Sequence, residues 1–127
     1  MSMKSPLGKA LGLGSAKEGT EHWWTQRVSA VAMAPLMLWF VISMLALPAY
    51  DYGTVSAWLA APMNAVLMLL ASFTLLYHSA LGTQVVIEDY VKGSAKVVTL
   101  ILARFAYFVL GAAAIFAILR VSLGAPS

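Results

Sequence analysis

His78 stands where ionisable groups are seldom found. It lies in an otherwise apolar run from Asn64 to Ile87 that carries no formal charge, ten residues before Glu88. An ionisable side chain at membrane depth is costly and points to function. An interhelical hydrogen bond is the plainer use of the same ring. Neutral imidazole is also a good axial ligand for haem iron.

Register adds two residues. Asp89 follows His78 by eleven residues, which on a helix is three turns plus about 20°, hence the same face, about 16 Å further along the axis. Gly82 follows by four residues, one turn on and about 40° round. A glycine there leaves room for a flat macrocycle, or for the close approach of a neighbouring helix. Asp89 and Tyr90 follow the apolar run, where the span ends at the interface. A carboxylate at a helix C-terminus opposes the dipole, so Asp89 is not placed to help the helix. The pair offers a proton-linked carboxylate and a phenol donor to a polar head group, although a tyrosine at this level also serves as an interface anchor.

Arg27 is the last charge before the first apolar run. It can snorkel to lipid phosphate or bind an anionic group such as a haem propionate. His22 lies further out, at a depth unsuited to the opposite face of a haem held by His78, and reads as solvated or in contact with a partner. Arg104 interrupts the third apolar run; it snorkels or faces a neighbouring helix, and no chemistry is assigned to it.

These residues must be held by helices in a bilayer. The 127 residues are 61% hydrophobic and 10% charged, with a mean hydropathy of +0.85. So short a soluble domain has no interior large enough for that apolar surface. Val28 to Leu47, Asn64 to Ile87 and Val97 to Leu119 each have the length to cross a hydrocarbon core. Backbone polar groups in lipid must be satisfied within the segment, so each run is predicted to be a helix. The expected fold is an all-α integral membrane protein of three transmembrane helices. Residues 1–27 are expected to form a cytoplasmic N-terminal segment and 28–127 the membrane domain, with spans at about 28–47, 64–87 and 97–119. Pro35 is placed to kink the first span. Thr54 is placed to cap a short interfacial helix through Ala61, and Pro62 to open the second span.

Lys4, Lys9, Lys17 and Arg27 precede the first span, Lys92 and Lys96 lie between the second and third, and the first loop has no lysine or arginine. The N-terminus and second connection are therefore expected in the cytoplasm, and the first loop and C-terminus outside. Cysteine is absent, which excludes disulfides and thiolate chemistry. The first 22 residues lack the apolar run of a secretory signal and the arginines of a transit peptide, so no cleaved leader is expected. Gly12, Gly14 and Gly19 have no preceding strand and following helix to make a phosphate-binding turn. A flexible segment lying on a partner protein is the better reading.

The run His78-Ser79-Ala80-Leu81-Gly82-Thr83-Gln84-Val85-Val86-Ile87-Glu88-Asp89-Tyr90-Val91 resembles the second-helix signature of the hydrophobic membrane anchor of succinate dehydrogenase, respiratory complex II. Residues Gly12 to Trp24, followed by Gln26-Arg27, resemble alphaproteobacterial members of that family. With three matching spans, the resemblance covers essentially the whole chain. Ala80 departs from members that have tryptophan there, which bears on packing near a macrocycle and leaves the ligand in place.

The resemblance implies a four-subunit enzyme in the bacterial inner membrane. Its flavoprotein subunit carries FAD and oxidises succinate, and its iron–sulfur subunit passes electrons to the membrane. Two hydrophobic anchor subunits form a helical bundle, hold haem b between them and help form a ubiquinone site. It further implies His78 as one axial ligand of the haem iron and Arg27 beside the haem propionates. Gly82 would pack on the haem, Tyr90 would hydrogen-bond a ubiquinone carbonyl, and Asp89 would be its acidic neighbour. Without flavin or iron–sulfur motifs, the chain is not an enzyme alone. Rival readings are an anchor of a quinol:fumarate reductase, and a small non-redox scaffold or transporter subunit in which His78 only packs.

Overall fold

The computed structural model describes residues 15–124, and their side chains from Thr20 onward. The described chain is helical, with no strand. Helix α1 spans Ser15–Ala46, α2 Tyr52–Ala60, α3 Pro62–Tyr90 and α4 Ser94–Gly124. Three helices are long and apolar enough to cross a membrane, over Thr20–Ala46, Pro62–Tyr90 and Ser94–Gly124.

The first helix begins well before the first apolar run. From Ser15 the chain is already helical and continues through Pro35 to Ala46. Gly19 is thus a helical residue, whereas Gly12 and Gly14 lie outside the described residues. Length and hydropathy locate where a helix meets lipid, and a helix can run on into water beyond that point.

The turns follow from local chemistry. Tyr50 donates its hydroxyl to the carbonyl of Met44 at 2.8 Å, beside the Leu47 amide that the same carbonyl accepts at 3.3 Å, which closes the end of α1. Asp51, rather than Thr54, caps α2: its carboxylate accepts from the Thr54 amide at 3.2 Å and from the Thr54 hydroxyl at 2.6 Å. These bonds favour the ionised form and hold the Asp51 carboxyl below its ordinary pKa, the Thr54 hydroxyl contributing most. Pro62 occupies the first turn of α3, where its missing N–H costs nothing. Asn64 closes the corner by donating to the carbonyl of Trp58 at 2.9 Å. Between α3 and α4, Gly93 adopts φ 72°, a left-handed conformation that glycine enters without a Cβ clash.

Helix α3 is the centre of the bundle. It packs on α1 along one side and on α4 along the other, with α2 across the end that α3 and α4 share. Small residues permit the approach: Ala65 and Ala71 of α3 are buried, at 8% and 3% exposure. Thr83 and Tyr107 add a hydroxyl–hydroxyl bond of 2.8 Å between α3 and α4. Trp39 of α1 stacks on Trp58 of α2, ring centroids 5.6 Å apart. Outward-facing residues are large and apolar, among them Val31, Leu38, Leu45, Phe73, Phe105, Phe108 and Phe116, all at least 60% exposed. Such a surface requires hydrocarbon or other helices around it.

Candidate functional site

His78 lies in the middle third of α3 and faces α1. Its Nδ1 is 2.9 Å from the hydroxyl of Ser29. Ser29 is 7% exposed, one of the few buried polar residues in the bundle. The same hydroxyl donates to the carbonyl of Gln26 at 2.8 Å, one turn back along α1. The imidazole is therefore tied across the α1–α3 contact through one nitrogen.

That contact fixes the depth of the neighbouring groups. Arg27 is two residues before Ser29, about 3 Å along the axis. Its guanidinium carbon lies 5.3 Å from the centroid of the Trp23 ring, so the side chain leans toward the start of α1. Trp23 meets Trp24 edge-on, with centroids 5.1 Å apart. His22 is half-buried and its Nε2 is shielded from solvent with no hydrogen-bond partner among the described residues. Of the two expectations for His22, solvated or in contact with a partner, the shielded ring is at odds with the first alone.

Beyond His78, α3 continues without a break to Tyr90. The helical register that puts Gly82 and Asp89 on the His78 side is therefore realised. A Cβ built on Gly82 meets nothing within 4 Å. Close packing of this chain's own helices is thus not the reason for a glycine there. Asp89 and Tyr90 form the last turn, and Tyr90 is 81% exposed. Beside them, Gln84 donates to Glu88 at 2.9 Å, occupying that carboxylate. Arg104 lies on the other side of α3, where it lines an apolar α3–α4 groove of about 940 Å³ with Gln84 and Tyr107.

Among the described residues no three histidine, cysteine, aspartate or glutamate side chains gather as a ligand cage. The arrangement instead offers one imidazole at membrane depth and a carboxylate–phenol pair where the helix ends. Ser29 is the residue that sequence reasoning does not find. Its only local signal is a polar residue in the first turn of an apolar run, two places after Arg27.

The chain matches the model of the succinate dehydrogenase/fumarate reductase transmembrane subunit family over residues 1–119. It is 39% identical over 100 residues to the succinate dehydrogenase hydrophobic membrane anchor subunit of Rickettsia bellii (strain RML369-C), covering 79% of this chain and 80% of that one. Its identity to the protein of the same description from Paracoccus denitrificans is 33% over 121 residues, covering 95% and 94% of the two chains. The succinate dehydrogenase membrane anchor subunit of Reclinomonas americana is 32% identical over 92 residues, covering 69% and 77%. No solved structure matches significantly. Three apolar helices, a centrally placed histidine and this extent of similarity have one consequence: the chain belongs to the succinate dehydrogenase/fumarate reductase transmembrane subunit family.

Proposed function

We propose that this chain is a membrane anchor and electron-transfer subunit of a succinate:ubiquinone oxidoreductase in the bacterial inner membrane. It pairs with a second hydrophobic anchor subunit, and the two carry an iron–sulfur and a flavoprotein subunit on their cytoplasmic side. The observation that carries the reading is His78, a single imidazole at membrane depth, tied by Nδ1 to Ser29 with space left beside Gly82.

Those residues suit a haem b shared between two subunits. His78 would supply one nitrogen ligand to the iron, and the partner anchor would supply the second. Gly82 leaves a surface on which a planar ring can lie. Arg27, two residues before Ser29 on α1, would bind a propionate through a charge-assisted hydrogen bond. A haem bound there would supply one-electron redox chemistry.

The quinone reading rests on the end of α3. Tyr90 stands where α3 ends, so its ring can stay in the apolar layer while its hydroxyl reaches the interface and donates to a ubiquinone carbonyl. Asp89, adjacent to it, orders the local polar network or hands on protons from interfacial water. Arg27, with the other lysines and arginines near this end, favours the cytoplasmic side for it, where the soluble subunits attach.

The test is the optical spectrum of the assembled complex. His78→Ala removes one strong-field ligand, so the b-type reduced-minus-oxidised signal should change or vanish. Succinate oxidation with a soluble dye should persist. A normal spectrum in assembled His78→Ala complex refutes axial ligation. The family also includes fumarate reductase subunits; a low-potential quinone co-purifying with the complex would favour that direction.

A further inference from the structure

Ser29 has one hydroxyl hydrogen and two neighbours that compete for it. The carbonyl of Gln26 lies 2.8 Å away and can only accept. His78 Nδ1 lies 2.9 Å away and can either donate or accept. With the hydrogen committed to Gln26, the second contact is a hydrogen bond only if Nδ1 carries the proton and donates to Ser29 Oγ. A neutral imidazole has one N–H. Nε2 then keeps its lone pair and points away from the bond.

We infer that Ser29 is a positioning residue that fixes His78 as the Nδ1–H tautomer, so that Nε2 is presented as the coordinating atom. The inference rests on His78 being the haem ligand and adds which nitrogen binds and what selects it. The low exposure of Ser29, 7%, keeps water from competing for the contact. The anchor is also rigid. Ser29 sits on α1, held by a bond within its own helix, so the hydroxyl constrains the ring plane of His78 as well as its proton. Ligating histidines generally use the second nitrogen in this way, and the bond raises the basicity of the first.

The test compares Ser29→Ala, Ser29→Val and Ser29→Thr in the assembled complex. Threonine keeps the hydroxyl and can bond back to the preceding turn. Valine has nearly the same shape without the hydroxyl, so the Thr/Val pair separates hydrogen bonding from packing. Loss of the hydroxyl should weaken haem retention by about 10–100-fold, the usual range for such outer partners. A less basic ligand also stabilises ferrous iron, so the haem midpoint potential should rise. The low-spin ferric electron paramagnetic resonance signal should shift as the ring plane is released. Ser29→Thr should match wild type in all three readouts. The inference is overturned if Ala and Val complexes keep wild-type retention, potential and resonance signal, or if Thr departs as far as Val. A wild-type spectrum in His78→Ala complex would instead remove the ligand assignment beneath it.

Discussion

His78 and Asp89 share one side of α3, eleven residues apart on an uninterrupted helix, which separates them by about 16 Å along the axis. One helix thus spans two chemistries. At His78 the imidazole is held by the hydroxyl of Ser29 across the α1–α3 contact. At Asp89 the side chain is exposed and next to an exposed phenol. On the proposed function, a rigid rod sets the distance between an electron store and a site where electrons meet protons. No hinge lies between them.

Membrane topology is the first consequence to check. Reporter fusions at Gly93 and at the N-terminus should both report the cytoplasm, and fusions at Gly53 and Ser127 the opposite side. The lysine and arginine distribution motivates this arrangement. Gly53 and Gly93 found on one side would contradict the three-span fold.

Gly82 tests the space beside His78. A Cβ there meets nothing within 4 Å, so Gly82→Ala should leave folding and assembly unchanged. Gly82→Phe places a ring in the volume proposed for the haem. It should remove most of the haem while the chain still assembles with its partners, measured as haem per flavin in purified complex. Full haem content in Gly82→Phe would move the haem to another face.

Much of this arrangement is legible in the sequence, and the gaps have physical causes. Pro62 and the Asp89-Tyr90 pair mark the ends of α3 because lipid forces long apolar runs to be helical and proline fits the first turn. The early start of α1 is invisible to hydropathy. Its first two turns hold Lys17, Glu18, Glu21 and His22, residues that a helix accepts but a bilayer does not. The α2 cap sits three residues before the expected Thr54. Aspartate and threonine both cap well, and here the threonine instead donates to the aspartate. The contact of Ser29 with His78 joins residues 49 apart in sequence. Such a pairing depends on how two helices are rotated against each other, which no single periodicity records.

Asp51 makes a prediction about pH. Its carboxyl is held below the ordinary value by the Thr54 hydroxyl and amide. A lowered folded pKa means the cap stabilises above the unfolded value and is lost as pH falls through the folded one. Protection of the Thr54 amide in hydrogen exchange, corrected for intrinsic rates, should therefore hold at neutral pH and drop only in acid, below the usual carboxylate range. Asp51→Ala should lower that protection at neutral pH, with little change in overall stability because the group is fully exposed. Equal protection in Asp51→Ala and wild type would show that the cap does not hold this turn.

Arg27 should matter for the haem, but less than His78. On the proposed function, Arg27→Ala removes a charge-assisted donor to a propionate and leaves the proposed iron ligand in place. Haem loss should be partial, and Arg27→Lys should fall between alanine and wild type, since it keeps the charge and loses the planar fork. The Trp23 contact at 5.3 Å offers a control. If Trp23→Leu mimics Arg27→Ala, stacking that orients the guanidinium is part of its role; if Arg27→Ala retains haem fully, Arg27 serves the lipid interface alone.

Tyr90 makes the sharpest functional prediction. It is 81% exposed at the last residue of α3, so packing among the described residues does not explain a phenol there. An interface anchor needs only the amphipathic ring, whereas a quinone site needs the hydroxyl. Tyr90→Phe separates the two, because it keeps the ring and removes the donor. A hydrogen bond to a quinone carbonyl strengthens as negative charge builds on that oxygen during reduction, so its loss affects the rate as well as binding. The cost could reach about 3 kcal/mol, on the order of 100-fold in succinate–quinone turnover. Dye-linked succinate oxidation and haem content should stay at wild-type levels, since neither involves the phenol. Asp89→Asn should slow turnover less and change its pH profile, as expected for a carboxylate that orders or relays protons beside the site. Normal quinone reduction and affinity in assembled Tyr90→Phe complex would leave Tyr90 as an anchor in the interface and require the quinone to be held elsewhere.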